Sequence, residues 1–353
     1  MQKKKYKIFS IVSLDKKPGG ISAMIQLSTM AIASNCNIVN LLLTNAILEN
    51  KEFSINLSKI KNLVLKNLSF TDRQFFKFSL LRSSMRESLK DSDIIFVHNS
   101  KLLKVIRNYF PEKKIVMFFH TDKLSQLQDF QYADKVVTVN KTMEKKINDI
   151  FFGKAIYIPN SIKKEKSQKN QLHRSKSCHA NKKLKVGGMG RLVKKKGFDF
   201  LVKTCMKIDN VELLIAGNGI EFNKLKRISN NNNNINLLGW IENKDLFFKK
   251  IDVFCCSSYE EPFGLVIIEA MSRGIPVIST NCNGPIDIIK NNIDGLLIEK
   301  NNVTELKSAI TRLRDSIDLR LKLGKNAKKK YKKYFTFDEY LKNINSLIKN
   351  LRD

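Results

Sequence analysis

The 353-residue chain contains no apolar run approaching the roughly 18 residues that span a bilayer. No secretion signal is expected at its start. The basic start Lys3-Lys4-Lys5 gives way to an apolar stretch from Tyr6 to Leu14 that is too short for a signal core. That stretch has no small-residue cleavage site and runs into Asp15-Lys16-Lys17-Pro18, so it reads as a first buried strand in a cytoplasmic protein. A disulfide framework and a zinc set are missing too. Cys36, Cys178, Cys205, Cys255, Cys256 and Cys282 form no Cys-x-x-Cys spacing, and the four histidines are not arranged with them. Buried, reduced thiols are expected.

Acidic residues are scarce. Lys and Arg number 64 against 33 Asp and Glu, a net charge of +31. Nucleic acid, an anionic membrane or an acidic substrate could answer such a charge. The basic clusters lack interleaved aromatics on a recognisable nucleic-acid scaffold, so no specific nucleic acid is expected. Lys163-Lys164-Glu165-Lys166, Lys182-Lys183 and the run from Lys325 to Lys333 fit a membrane-facing surface at least as well. A hydrophobic content of 42% excludes a disordered chain, and the length fits two domains.

Short apolar runs alternate with longer mixed segments. In the first half these are Lys7 to Ser13, Ile94 to His98, Ile115 to His120, Lys135 to Val139 and Ala155 to Pro159. In the second they are Leu184 to Met189, Val211 to Ala216, Ile235 to Gly239, Val253 to Cys256, Pro276 to Thr280 and Gly295 to Ile298. Buried parallel strands look like this, and their alternation with helices predicts an α/β fold. The polar, basic stretch 166–183 reads as a linker between a domain over 1–165 and another over 184–335. From Val303 onward the pattern is helical, with Leu306, Ile310, Leu313 and Ile317 spaced by three and four. A last amphipathic helix begins near Phe337, and there is no internal repeat.

Four features carry candidate chemistry. Gly19-Gly20 and Gly217-Asn218-Gly219 follow strands and precede helices, as either plain turns or ligand loops. Arg191 and Lys196 straddle another strand-to-helix turn, where they either grip phosphate or form a solvated basic turn. Glu261-Pro-Phe-Gly264-Leu265 reads as a loop entering a helix over Val266 to Arg273 that carries Glu269. Amides at Gly264 and Leu265 can hold phosphate, and a carboxylate can hold neighbouring sugar hydroxyls. An ordinary acidic βα loop is the competing reading, although Glu269 beside Ala270 and Met271 is a poor surface residue. Asp91-Ser-Asp93 precedes a strand where a metal-binding Asp pair should follow one. His98 reads as a structural strand-end residue.

In one order the chain carries Arg191…Lys196-Gly197, Gly217-x-Gly219, Leu238-Gly239, Glu261-Pro-Phe-Gly-Leu…Glu269-Ala-Met-x-x-Gly274-x-Pro276 and Gly284-Pro285…Gly295. This set resembles the group-1, or family 4, retaining glycosyltransferases. Gly19-Gly20, Asp93 to Asn99, His120 and Pro159-Asn160-Ser161 match more loosely. The resemblance implies two Rossmann-like domains facing each other across a cleft, the GT-B fold, with the last helix (336–353) crossing back to an N-terminal acceptor domain. It implies transfer of a hexose or N-acetylhexosamine from a nucleotide-diphosphate sugar, a UDP-sugar being the expected donor, with retention of configuration. The acceptor would be a growing glycan or glycolipid of lipopolysaccharide, capsule or lipid-linked oligosaccharide synthesis, at the inner face of the cell membrane. Arg191 and Lys196 would hold the donor diphosphate, with Gly217, Gly264 and Leu265 lining the nucleotide site. Glu269 would bind the ribose, Glu261 the transferred sugar, Gly19 and Gly20 donor and acceptor, and His120 would sit beside the sugar. No metal or other cofactor is expected. A polyanion-binding module on a degenerate α/β scaffold, a sugar-nucleotide epimerase and a phosphorylase are the alternatives.

Overall fold

The structure, a computed structural model, describes residues 7–12, 20–34, 38–44, 55, 57–163, 183–229 and 232–351. The chain divides into two compact units, one of residues 1–161 with 337–353 and the other of residues 162–336. Most of the stretch 166–183 lies outside the described residues.

In the first unit the strands are β1 (Lys7–Val12), β2 (Ile38–Thr44), β3 (Leu63–Leu68), β4 (Ile94–Val97), β5 (Lys114–Phe119), β6 (Lys135–Thr138) and β7 (Ala155–Tyr157). The intervening helices are α1 (Gly20–Ala33), α2 (Phe70–Lys77), α3 (Ser83–Lys90), α4 (Leu103–Tyr109) and α5 (Lys141–Ile150). The strands form one parallel sheet in the order β3-β2-β1-β4-β5-β6-β7. Its central strands are apolar on both faces because helices cover both, and every residue of β4 is buried. β2 and β3 are absent from the apolar runs noted above. Asn40 interrupts the first, and the second is the sheet edge, where Val64 is exposed while Leu63 and Leu65 pack on Val12, Ile25 and Leu57.

The second unit holds β8 (Leu184–Met189), β9 (Val211–Ala216), β10 (Ile235–Gly239), β11 (Val253–Cys256), β12 (Val277–Thr280) and β13 (Leu296–Ile298). Its helices are α6 (Phe198–Cys205), α7 (Phe222–Ser229), α8 (Lys244–Lys250), α9 (Leu265–Ser272), α10 (Asn283–Ile288), α11 (Val303–Asp315) and α12 (Ile317–Tyr334). The sheet is again parallel, in the order β10-β9-β8-β11-β12-β13. Asparagine caps open several helices. Asn140 accepts from the Met143 amide, Asn243 from Leu246 and Asn302 from Glu305.

The apolar series after Val303 is not one helix. Ser316 stops α11 and caps α12, accepting from the Leu319 amide at 3.1 Å, so Ile317 opens a new helix and is exposed. The last helix, α13 (Phe337–Asn350), belongs to the first unit and packs on α1, burying Tyr340, Ile344, Leu347 and Ile348. Both units are thus doubly wound parallel α/β layers.

Candidate active site

In a doubly wound sheet, ligands settle outside the carboxyl ends of the strands where the strand order reverses. In the second unit that point lies between β8 and β11. The loops leaving these two strands are fastened together. The Tyr259 amide donates to the Lys195 carbonyl at 2.8 Å, and Ser257 Oγ donates to the Lys196 carbonyl at 3.1 Å. Gly197 sits at φ +62°, and a Cβ there would stand 2.1 Å from the Ser257 carbonyl oxygen, so only glycine permits this approach. The approach sets Lys196 and Glu261 face to face, Nζ to Oε2 at 2.5 Å, with side chains 21% and 10% exposed. Ser258 Oγ adds a donor to Glu261 Oε2 at 3.5 Å. Met189, Cys256 and Val266 line a small recess with the pair. Burial works to lower the Lys196 pKa. The Glu261 charge and hydrogen bond outweigh it and leave the value raised, against a smaller opposing effect of Arg191. Lys196 is therefore a held cation, and exposed Arg191 lies within range of its charge.

The loop after β9 joins this edge. Gly217 has φ +141°, and a Cβ on it would lie 1.9 Å from the Gly190 carbonyl oxygen. Beside it the Leu192 amide donates to the Asn218 carbonyl at 2.9 Å. On the other side α9 starts at N-cap Gly264, in the left-handed region, with no side chain capping it. The first amides of the helix keep their partial positive charge, and Leu265 is the first of them. The turn before the helix is held from behind, since the Gly284 amide donates to the Glu261 carbonyl at 3.0 Å.

Glu269 stands in the second turn of α9. Its Oε1 accepts from Lys244 Nζ at 2.7 Å, while Oε2 is buried with no hydrogen-bond partner among the described residues. Arg273 anchors the same faces of α8 and α9, bonding Asp245 and lying 4.6 Å from the Phe248 ring centroid. A carboxylate oxygen left buried and unpaired is uncommon and calls for a partner.

In the first unit the order reverses between β1 and β4. His98 directly follows β4 and His120 directly follows β5. His98 Nδ1 lies 3.0 Å from His120 Nε2, and His98 Nε2 lies 3.3 Å from Ser10 Oγ. Among the described residues His120 Nδ1 and Thr121 Oγ1 are buried without partners. Gly20 is the exposed first residue of α1, and Gly19 lies outside the described residues.

The second unit therefore gathers Arg191, Lys196, Gly217, Glu261, Gly264, Leu265 and Glu269 along one sheet edge, and the first unit places His120 on the corresponding edge of its own sheet. Lys244 has no signal in the sequence, because it meets Glu269 only through the packing of α8 on α9. The His98–His120 contact was equally hidden, since it joins two strand ends 22 residues apart. Asp91 and Asp93 have structural partners: Lys7 Nζ bonds the first at 2.9 Å and the Lys7 amide bonds the second at 2.9 Å. Among the described residues no group of three or more His, Cys, Asp or Glu side chains could hold a metal ion, and no helix is long and apolar enough to cross a membrane.

Comparison with known proteins agrees with this architecture. The family model described as "Glycosyl transferases group 1" matches residues 169–330. The capsular polysaccharide biosynthesis glycosyltransferase CapM of Staphylococcus aureus is 30% identical over 234 residues, 64% of this chain and 60% of CapM. The chain thus spans about three-fifths of the length of that relative. The lipopolysaccharide core biosynthesis glycosyltransferase LpsE of Rhizobium meliloti is 24% identical over 270 residues, 76% of this chain and 77% of LpsE. Among solved structures, Anabaena Alr3699/HepE in complex with UDP superposes with a TM-score of 0.78 at 17% identity, covering 98% of this chain and 100% of that one. The likeness shows the fold: two parallel-sheet α/β domains of the GT-B glycosyltransferase type.

The two histidines give a pH dependence. Burial, with a contribution from His120, holds His98 well below its ordinary value of 6.5, and burial pulls His120 down to about 4. Both bind protons more weakly when folded, so their contribution to stability is complete above pH 6.5 and is lost as pH falls through about 4. The expected result is a melting temperature that drops between those values and drops less in the double variant His98→Phe/His120→Phe. Equal slopes in the two proteins would contradict this.

Proposed function

We propose that the chain is a glycosyltransferase that moves a hexose or N-acetylhexosamine from a nucleotide-diphosphate sugar, a UDP-sugar, to a growing glycan or glycolipid with retention of configuration. The observation that carries this reading is the Lys196–Glu261 pair, held at the strand-order reversal beside the uncapped start of α9. A cation, a carboxylate and free helix amides converge there within one unit. Diphosphate suits the cation and the amides, and sugar hydroxyls suit the carboxylate.

The roles divide as follows. Arg191 and Lys196, with the amides of Gly264 and Leu265, bind the diphosphate. Glu269 Oε2 accepts from a ribose hydroxyl while Lys244 keeps hold of Oε1. Glu261 both orients Lys196 and accepts from a hydroxyl of the transferred sugar. Gly217 lets the nucleotide lie close to the loop backbone. Gly19, Gly20 and His120 serve the sugar and acceptor side. In the reaction the bond between the anomeric carbon and the β-phosphate oxygen breaks, and its electron pair stays on the diphosphate. An acceptor hydroxyl oxygen bonds the anomeric carbon on the same face, and its proton passes to the departing phosphate oxygen. Negative charge builds up on the diphosphate, so fixed cations aimed there lower the barrier most. Arg191 and Lys196 take the place that a metal ion fills in other transferases, and no metal or other cofactor enters the proposal.

The names of CapM and LpsE support a place in capsule or lipopolysaccharide synthesis, and the UDP complex of HepE supports a UDP-sugar donor. The charge of +31 and the exposed Lys322, Lys325, Lys329, Lys332 and Lys333 of α12 support a place on the inner, anionic face of the membrane.

Two measurements test the proposal. Arg191→Ala should lower donor turnover by at least about a hundredfold, the loss typical for one charge-stabilising group, and Glu269→Ala should abolish turnover through loss of the ribose contact, with circular dichroism unchanged in both. Full activity in either variant would sink the assignment. Co-sedimentation with anionic but not neutral vesicles is expected, and equal behaviour on both would remove the membrane from the account.

A further inference from the structure

The strand-order reversal of the first unit holds a row of three polar side chains, Ser10, His98 and His120. Counting donors fixes its direction. Among the described residues the Ser10 hydroxyl, 2% exposed, meets one hydrogen-bonding atom, His98 Nε2 at 3.3 Å. A buried hydroxyl proton needs an acceptor, so Ser10 donates and His98 Nε2 accepts. A neutral imidazole carries one proton, which then sits on His98 Nδ1. That proton points to His120 Nε2, 3.0 Å away, which must accept it. The proton of His120 is left on Nδ1, the buried atom with no partner among the described residues. The opposite direction would leave the Ser10 hydroxyl proton without an acceptor among the described residues.

Packing holds the row in plane. The His98 ring stacks on Phe118 at 5.0 Å and 12°, and meets the His120 ring edge to edge, centroids 5.3 Å apart and planes 9° from parallel. Burial keeps both rings neutral at pH 7, the condition under which a single tautomer has meaning.

We propose that Ser10 and His98 are positioning residues that fix His120 as its Nδ1–H tautomer, and that this N–H donates to an oxygen of the bound sugar substrate. The substrate clause rests on the glycosyl-transfer reading; the tautomer does not. His98, which reads from the sequence as a plain strand-end residue, becomes the link that aims His120.

Histidine-selective ring-¹⁵N labelling tests it, with the four histidines assigned by single variants. In the wild type His120 should show one tautomer with its proton on Nδ1. Ser10→Ala and His98→Phe should release it to a tautomer mixture. His98→Asn, whose amide nitrogen takes the place of Nδ1, should restore the Nδ1–H form. In turnover, kcat should fall about tenfold in His98→Phe, the size of one hydrogen bond, and recover in His98→Asn, while UDP affinity stays unchanged. A wild-type His120 protonated on Nε2, a tautomer unmoved by Ser10→Ala and His98→Phe, or an unchanged kcat in His98→Phe would overturn the proposal. A wild type inactive with every sugar nucleotide would defeat the glycosyl-transfer reading alone and leave the nitrogen spectra to decide this one.

Discussion

The closeness of the loops after β8 and β11 governs the second unit. Parallel strands carry their connections to opposite faces where the order reverses, so the loops at that point can diverge and leave a crevice. Here they diverge only after being tied. Gly197 lets the Ser257 carbonyl approach as no other residue could, and the Tyr259 amide and Ser257 hydroxyl fix the register. Lys196 and Glu261 are then opposed without further adjustment, and the start of α9 lies at hand behind Gly264. Breaking the tie would scatter the cation, the carboxylate and the helix amides together.

Much of the layer structure was legible in the residues. Runs such as Val253 to Cys256 are apolar on both faces because helices cover both faces of a parallel sheet. Legibility failed where that condition failed. β3 is an edge strand with Val64 exposed, so its pattern is diluted. The join at Ser316 was hidden because Ile317 keeps the helical spacing of Leu306, Ile310 and Leu313 while pointing to solvent. Periodicity reports a face, and a side-chain cap can end the helix without disturbing it.

The site divides in the same way. Local strings were readable: Glu261 to Leu265 as a turn into a helix, and Arg191 to Gly197 as a strand-to-helix loop. Contacts between distant segments were not. Lys244 reaches Glu269 across 25 residues, and His98 meets Ser10 across 88. These partners decide which atoms remain for a ligand. Lys244 occupies one oxygen of Glu269 and leaves the other, and His98 occupies one nitrogen of His120 and leaves the other. In both units an anchoring side chain takes half of a two-ended polar group and presents the remaining half.

The central claim concerns the donor, and a crystal structure of the protein with UDP tests it most directly. The diphosphate is expected against Arg191, Lys196 and the amides of Gly264 and Leu265, with a ribose hydroxyl bonded to Glu269 Oε2 and Lys244 still on Oε1. UDP bound away from the carboxyl edge of β8 and β11, or bound there with Glu269 Oε2 still unpaired, would contradict it.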